Sequence, residues 1–142
     1  MKSLILALAI VVTASSPVVA TQNPDRIVVQ FASDSDEVPA ASLAELARFA
    51  RAHPDRDFSI EGHAILQESD NSPSYANGLS QRRANRVRAA IWNDDFERWQ
   101  LTKSRTMIVS GYGASRPLPG SASADGRNRR VEVSIIEPAT GS

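Results

Sequence analysis

Four short runs of β-branched and aromatic residues, separated by two helical stripes, constrain this 142-residue chain more than any other feature. Residues 130–136 alternate most cleanly: Val131, Val133 and Ile135 fall on one side, and Arg130, Glu132 and Ser134 on the other, as in a strand with one buried face. Residues 26–31, 57–64 and 106–112 have the same character and are bounded by polar or turn-forming residues, so they read as three further strands. Between the first two strands, Leu43, Leu46, Ala47 and Ala50 recur at helical spacing over residues 40–52, leaving Glu45, Arg48 and Arg51 for water. Between the second and third, Leu79, Ala84, Val87 and Ile91 form the inward stripe of a helix over residues 77–94, with Arg82, Arg86 and Arg88 on its solvated side. The order βαβαββ predicts an α+β two-layer sandwich, in which two helices cover one face of a single mixed four-stranded sheet.

What precedes this unit reads as an export signal. Lys2 supplies a charged start, residues 4–12 an apolar run, and Val18-Val19-Ala20 a small-residue cleavage site. The apolar run is well short of the roughly 20 residues needed to span a bilayer, so cleavage after Ala20 and a periplasmic product are expected, with no transmembrane segment left. The expected organisation is a signal peptide over 1–20, a polar lead over 21–25, one domain over 26–138 and a tail over 139–142. The chain has no cysteine, which excludes disulfides, a thiol nucleophile and the lipid-modified cysteine of a bacterial lipoprotein. Sixteen basic side chains balance sixteen acidic ones, so nothing in the charge calls for nucleic acid. With two Trp, two Tyr and four Phe, stacking surfaces for sugars or bases are scarce. Two histidines, no Cys, and neither an H-E-x-x-H nor a G-x-S-x-G arrangement argue against an enzyme, and a lone His63 makes a poor metal site. No cofactor is expected.

Four fragments then fall into a known order: FSIEGH at 58–63, YANGLSQRRANRV at 75–87, GYGASRP at 111–117 and DGRNRRVEV at 125–133. Together they resemble the OmpA-like C-terminal domain shared by outer-membrane protein A, flagellar motor stators and peptidoglycan-associated lipoproteins. The resemblance implies a domain that holds peptidoglycan non-covalently, through the diaminopimelate of the stem peptide. Such a module tethers or scaffolds at the cell wall or outer membrane, and an envelope protein complex is a second expected partner. A diaminopimelate end carries an ammonium and a carboxylate, so its site needs an acid and a guanidinium.

Carried over residue by residue, the resemblance makes Arg83 the guanidinium, the arginine of Leu79-Ser80-Gln81-Arg82-Arg83-Ala84. It sits in the early turns of a helix, whose dipole favours the same anion. The implied consequence is that Arg83→Ala abolishes wall binding with little loss of stability. The acid is where this chain departs: the family has G-H-T-D, and here the motif reads Gly62-His63-Ala64-Ile65. The loop that follows, from His63 to Tyr75, is about three residues longer than usual for the family; of its acids, Asp70 ranks ahead of Glu68 as a replacement, and plain loop solubility ranks ahead of both. Asn77 is displaced by one from the family asparagine, and Asn128 and Arg129 of the shortened last motif lie near the implied pocket. His63, at a strand end, completes the candidate set. Gly111 and Gly113 are expected to permit a tight exit from the third strand. The alternative reading is a periplasmic interaction module that keeps this fold but has lost diaminopimelate recognition.

Overall fold

The computed structural model describes residues 23–68, 71–97 and 105–140. The leader expected over 1–20 and the candidate Asp70 lie outside them. The element order is β1 (Arg26–Gln30), α1 (Ala40–Ala52), β2 (Asp57–Gly62), α2 (Pro73–Glu97), β3 (Met107–Gly111), a 3-10 turn (Gly126–Asn128) and β4 (Arg130–Ile136). The strands form one sheet in the order β1-β4-β2-β3. β4 runs antiparallel to both β1 and β2, while β2 and β3 are parallel, as strands joined through a crossover helix must be. The sheet is therefore mixed and open, as the βαβαββ order requires.

Register decides which residues meet the helices. Val29 lies opposite Val131, and Ile60 lies between Val133 and Val109, so these side chains share one face. With Phe58 they pack against Leu46 and Ala50 of α1 and Ala84, Val87 and Ile91 of α2. The other face carries Glu61 and Glu132 side by side, and no helix among the described residues covers it.

Two expectations change at the helices. Leu43, placed in the buried stripe by its spacing, is 45% exposed, and Phe49 fills the core edge beside Phe58 instead. α2 begins at Pro73, four residues before the stretch expected from the sequence, and runs on to Glu97. Ser72 is the reason for the early start. Its Oγ accepts from the Tyr75 amide (3.3 Å) and its carbonyl from the Ala76 amide (3.0 Å), while Pro73 in the first helical position gives up no needed hydrogen bond.

α2 lies unusually close to the strand ends. A Cβ on Gly62 would stand 1.9 Å from the Ser80 carbonyl oxygen, and one on its register partner Gly111 2.7 Å from the Gln81 amide nitrogen. Only glycine fits there, so this pair sets the helix against the C-terminal ends of β2 and β3. Gly113, at φ +55°, completes the contact: its amide donates to Ser80 Oγ (2.8 Å), and Asn77 fills the space a Cβ would take.

Candidate functional site

The close approach of α2 carries Arg83 into the crevice where β1 and β2 end. The side chain has no exposed surface. Its Nε donates to the Ser35 carbonyl (2.8 Å), Nη1 to the His63 carbonyl (3.2 Å) and Nη2 to the Ala32 carbonyl (3.1 Å). The remaining edge meets the Glu68 carboxylate in a bidentate pair, Nη1 to Oε2 at 3.0 Å and Nη2 to Oε1. Phe31 lies under the guanidinium, 5.2 Å from ring centroid to Cζ. All five N–H donors of Arg83 are thus engaged.

Glu68 is equally enclosed, and it is the residue the sequence ranked second. Besides Arg83, it accepts from the Ile65 amide (3.0 Å) and the Asp34 amide (2.9 Å). Burial alone would raise its pKa, but the Arg83 bonds, with these two amides, outweigh burial and hold the carboxyl below the usual glutamate range. Ile65 itself is buried and apolar, and the carboxylate that stands in this crevice belongs to Glu68, three residues later in the loop. The approach depends on Asp34 at φ 55°, which turns its amide toward the site, and the Tyr75 hydroxyl bonds the Asp34 carboxylate to fix that turn.

The other candidates divide. Arg129 comes close: its Nε donates to the Phe31 carbonyl (3.1 Å), one residue before the carbonyl that Arg83 takes. Asn128 is 1% exposed and committed internally. Its Oδ1 accepts from Leu118 (2.7 Å) and Arg130 (3.2 Å), and its Nδ2 donates to Ser121 and Ala122 (3.1 Å each), so it pins the loop before β4. Asn77 is exposed at the start of α2, against Gly113. Arg82 and Arg86 are half-exposed or more and lie near Asp36 at 3.7 and 3.8 Å, consistent with a solvated face.

His63 serves the crevice only through its carbonyl. Its ring points to the opposite, open face of the sheet, stacked on Tyr112 at 5.7 Å, 2% exposed, with neither ring nitrogen hydrogen-bonded. Glu61, His63 and Glu132 bring ligand atoms within 4.8 Å of one another, a donor set for a divalent cation. Arg26 and Arg130, however, both pair with Glu132, and with Arg116 they put three guanidinium charges around the imidazole. Burial first, and then the field of Arg130, Arg116 and Arg26, lowers the His63 pKa to about 4. That field opposes a cation as it opposes a proton.

A pH dependence follows. Below its ordinary pKa of 6.5, His63 binds a proton in the unfolded chain that the folded protein refuses, so stability falls as pH drops from 6.5 toward 4. The full effect is about 3 kcal/mol at 1.36 kcal/mol per pKa unit. Urea titrations at pH 7 and pH 4.5 should show His63→Gln losing less stability than wild type over that interval; equal losses would place the acid sensitivity elsewhere.

The comparisons agree with this geometry. The OmpA family model matches residues 30–130. Outer membrane porin F of Pseudomonas aeruginosa is 36% identical over 124 residues, covering 84% of this chain and 33% of that protein. The chain thus spans about a third of the length of this relative. The solved OmpA-like domain of FopA1 from Francisella tularensis superposes with a TM-score of 0.60 at 24% identity, covering 83% of this chain and 80% of that one. The peptidoglycan-associated lipoprotein from Burkholderia pseudomallei superposes with a TM-score of 0.59 at 24% identity, covering 77% and 89%. With more than half of its length matched by the family model, and with the two-helix, four-stranded mixed sheet of these neighbours, the chain belongs to the OmpA family.

Proposed function

We propose that this protein binds peptidoglycan non-covalently in the periplasm, and that Arg83 takes a carboxylate of the stem peptide's diaminopimelate. The observation that carries this reading is the placement of Arg83, enclosed ten residues into α2 against the turns that end β1 and β2. A guanidinium held there is a fixed positive charge built into the fold, although α2 starts ten residues earlier, at Pro73, so the helix dipole expected from the sequence does not reach it. Family membership and the name of the Burkholderia neighbour, a peptidoglycan-associated lipoprotein, support the same ligand. Binding needs no chemistry, so the protein acts as a tether or scaffold rather than an enzyme. Export by a leader removed after Ala20 supplies the compartment, and no helix among the described residues is long and apolar enough to cross a membrane.

One observation favours the second reading, an interaction module without diaminopimelate recognition: Glu68 already fills the edge of Arg83 that a ligand would use. Co-sedimentation of the mature protein with purified sacculi separates the two. The wall-binding reading expects the protein in the pellet and its release by free meso-diaminopimelate. A pellet fraction no greater than that of a non-binding control protein would move the interaction module ahead.

A further inference from the structure

We infer that the outward face of α2 docks on the anionic phospholipid surface of a membrane. The inference is independent of the reading of Arg83, because it uses the other side of the helix. Ala84, Val87 and Ile91 are spent on the sheet. On the opposite side Trp92 is 50% exposed and Phe96, one turn later, 62%, whereas Phe31 and Phe58 are buried. At about 100° per residue, Trp92 lies about 40° from Phe96 around the helix axis, and Arg86 and Arg88 lie about 80° from it on either side. The two rings thus form a ridge with a guanidinium on each flank, as in a helix that lies in the plane of a membrane interface.

Charge sets this face apart in a chain whose acids and bases balance. From Arg82 to Phe96 the exposed positions hold three arginines, two asparagines, an alanine and the two rings, and no acid. Asp94 and Asp95 are only partly exposed and are held at the flanks of the helix by Arg51 of α1 and by Arg105, ahead of β3. Asp36 is shared between Arg82 and Arg86, so one carboxylate faces two guanidiniums. The face carries an excess of positive charge, and what covers it must supply negative charge. Shape then chooses among anionic partners. A helix seen from outside is a convex ridge, and a folded protein would need a matching groove to enclose its rings. A phospholipid surface needs none: the rings enter the boundary between head groups and acyl chains, and the flanking arginines meet the phosphates.

Vesicle flotation tests the assignment, using the mature protein from Thr21 onward so that the apolar leader contributes nothing. Wild type should float with phosphatidylcholine vesicles containing about 30% phosphatidylglycerol and stay behind with pure phosphatidylcholine, and added salt should weaken the binding. Arg86→Gln/Arg88→Gln should lower the partition coefficient about 25-fold, at about fivefold for each basic residue near an anionic surface. Trp92→Ser/Phe96→Ser should lower it by about tenfold or more, through lost apolar contact with the interface. All four positions are exposed, and urea midpoints close to wild type should confirm that both variants are folded. Wild type left behind with both kinds of vesicle would overturn the inference, and so would wild-type partitioning in either folded double variant. Retention on purified sacculi that Trp92→Ser/Phe96→Ser abolishes, without vesicle binding by wild type, would give the ridge to the wall instead and equally overturn lipid docking.

Discussion

Replacing Arg83 by alanine should lower the stability of this domain by about 3–5 kcal/mol, the cost of leaving one member of a buried ion pair without its partner. That reverses what the family motif alone implies, a binding residue removable with little structural consequence. The difference lies in the surroundings. Arg83 and Glu68 side chains are both fully buried, and the guanidinium also ties the carbonyls of Ala32 and Ser35, which follow β1, to that of His63, which follows β2. Against a typical domain stability of about 5–15 kcal/mol, such a loss leaves part of the population unfolded near body temperature. Urea titration at pH 7 reads it as a fall in midpoint with little change in slope. The double variant Arg83→Ala/Glu68→Ala should lose less than the sum of the two single changes, because it removes the stranded charge together with its partner. Additive losses would show that the two side chains do not form a unit.

Val87→Asp is expected to be comparably severe, at about 3–5 kcal/mol, through an uncompensated carboxylate in an apolar layer. Val87 has no exposed surface and packs with Ala84 and Ile91 against the inner face of the sheet. Val87→Ala, which removes two methyl groups and adds no charge, should cost about 1–2 kcal/mol at roughly 0.8 kcal/mol per buried carbon. A thermal melt of Val87→Asp indistinguishable from wild type would mean that α2 presents a different face to the strands.

The features legible in the sequence were those that local periodicity records. The alternation of Val131, Val133 and Ile135 announced β4, and Ala84, Val87 and Ile91 announced the buried stripe of α2, because each pattern follows from a single element facing a single layer. The start of α2 was not legible in the same way: proline reads as a breaker until one sees that Ser72 caps the helix and Pro73 occupies the position where its missing N–H is harmless. Leu43 has the spacing of a core residue but is 45% exposed, because periodicity does not report how far the layer beneath a helix extends. The candidate site was half legible. Arg83 came from its motif; Glu68 did not, since a glutamate in a polar loop resembles any other solubilising acid. What singles it out is the turned amide of Asp34, distant in sequence, and the amide of Ile65. Gly62 gave only the weak signal of a glycine ending a strand, although its missing Cβ is what lets Ser80 and Arg83 approach.

The antiparallel pairing of β1 with β4 gives the molecule two separate poles. Arg26, where β1 begins, lies opposite Ser134 near the end of β4, so the chain enters and leaves the sheet at one end. The Arg83 crevice lies at the other, beyond Gln30 and ahead of Arg130, the length of a five-residue strand away, or about 16 Å. The entry at Arg26 and the exit after Ile136 therefore both lie away from the crevice. The same separation would allow one end of the domain to stay moored while the other makes contact, with the sheet as the rigid spacer between them.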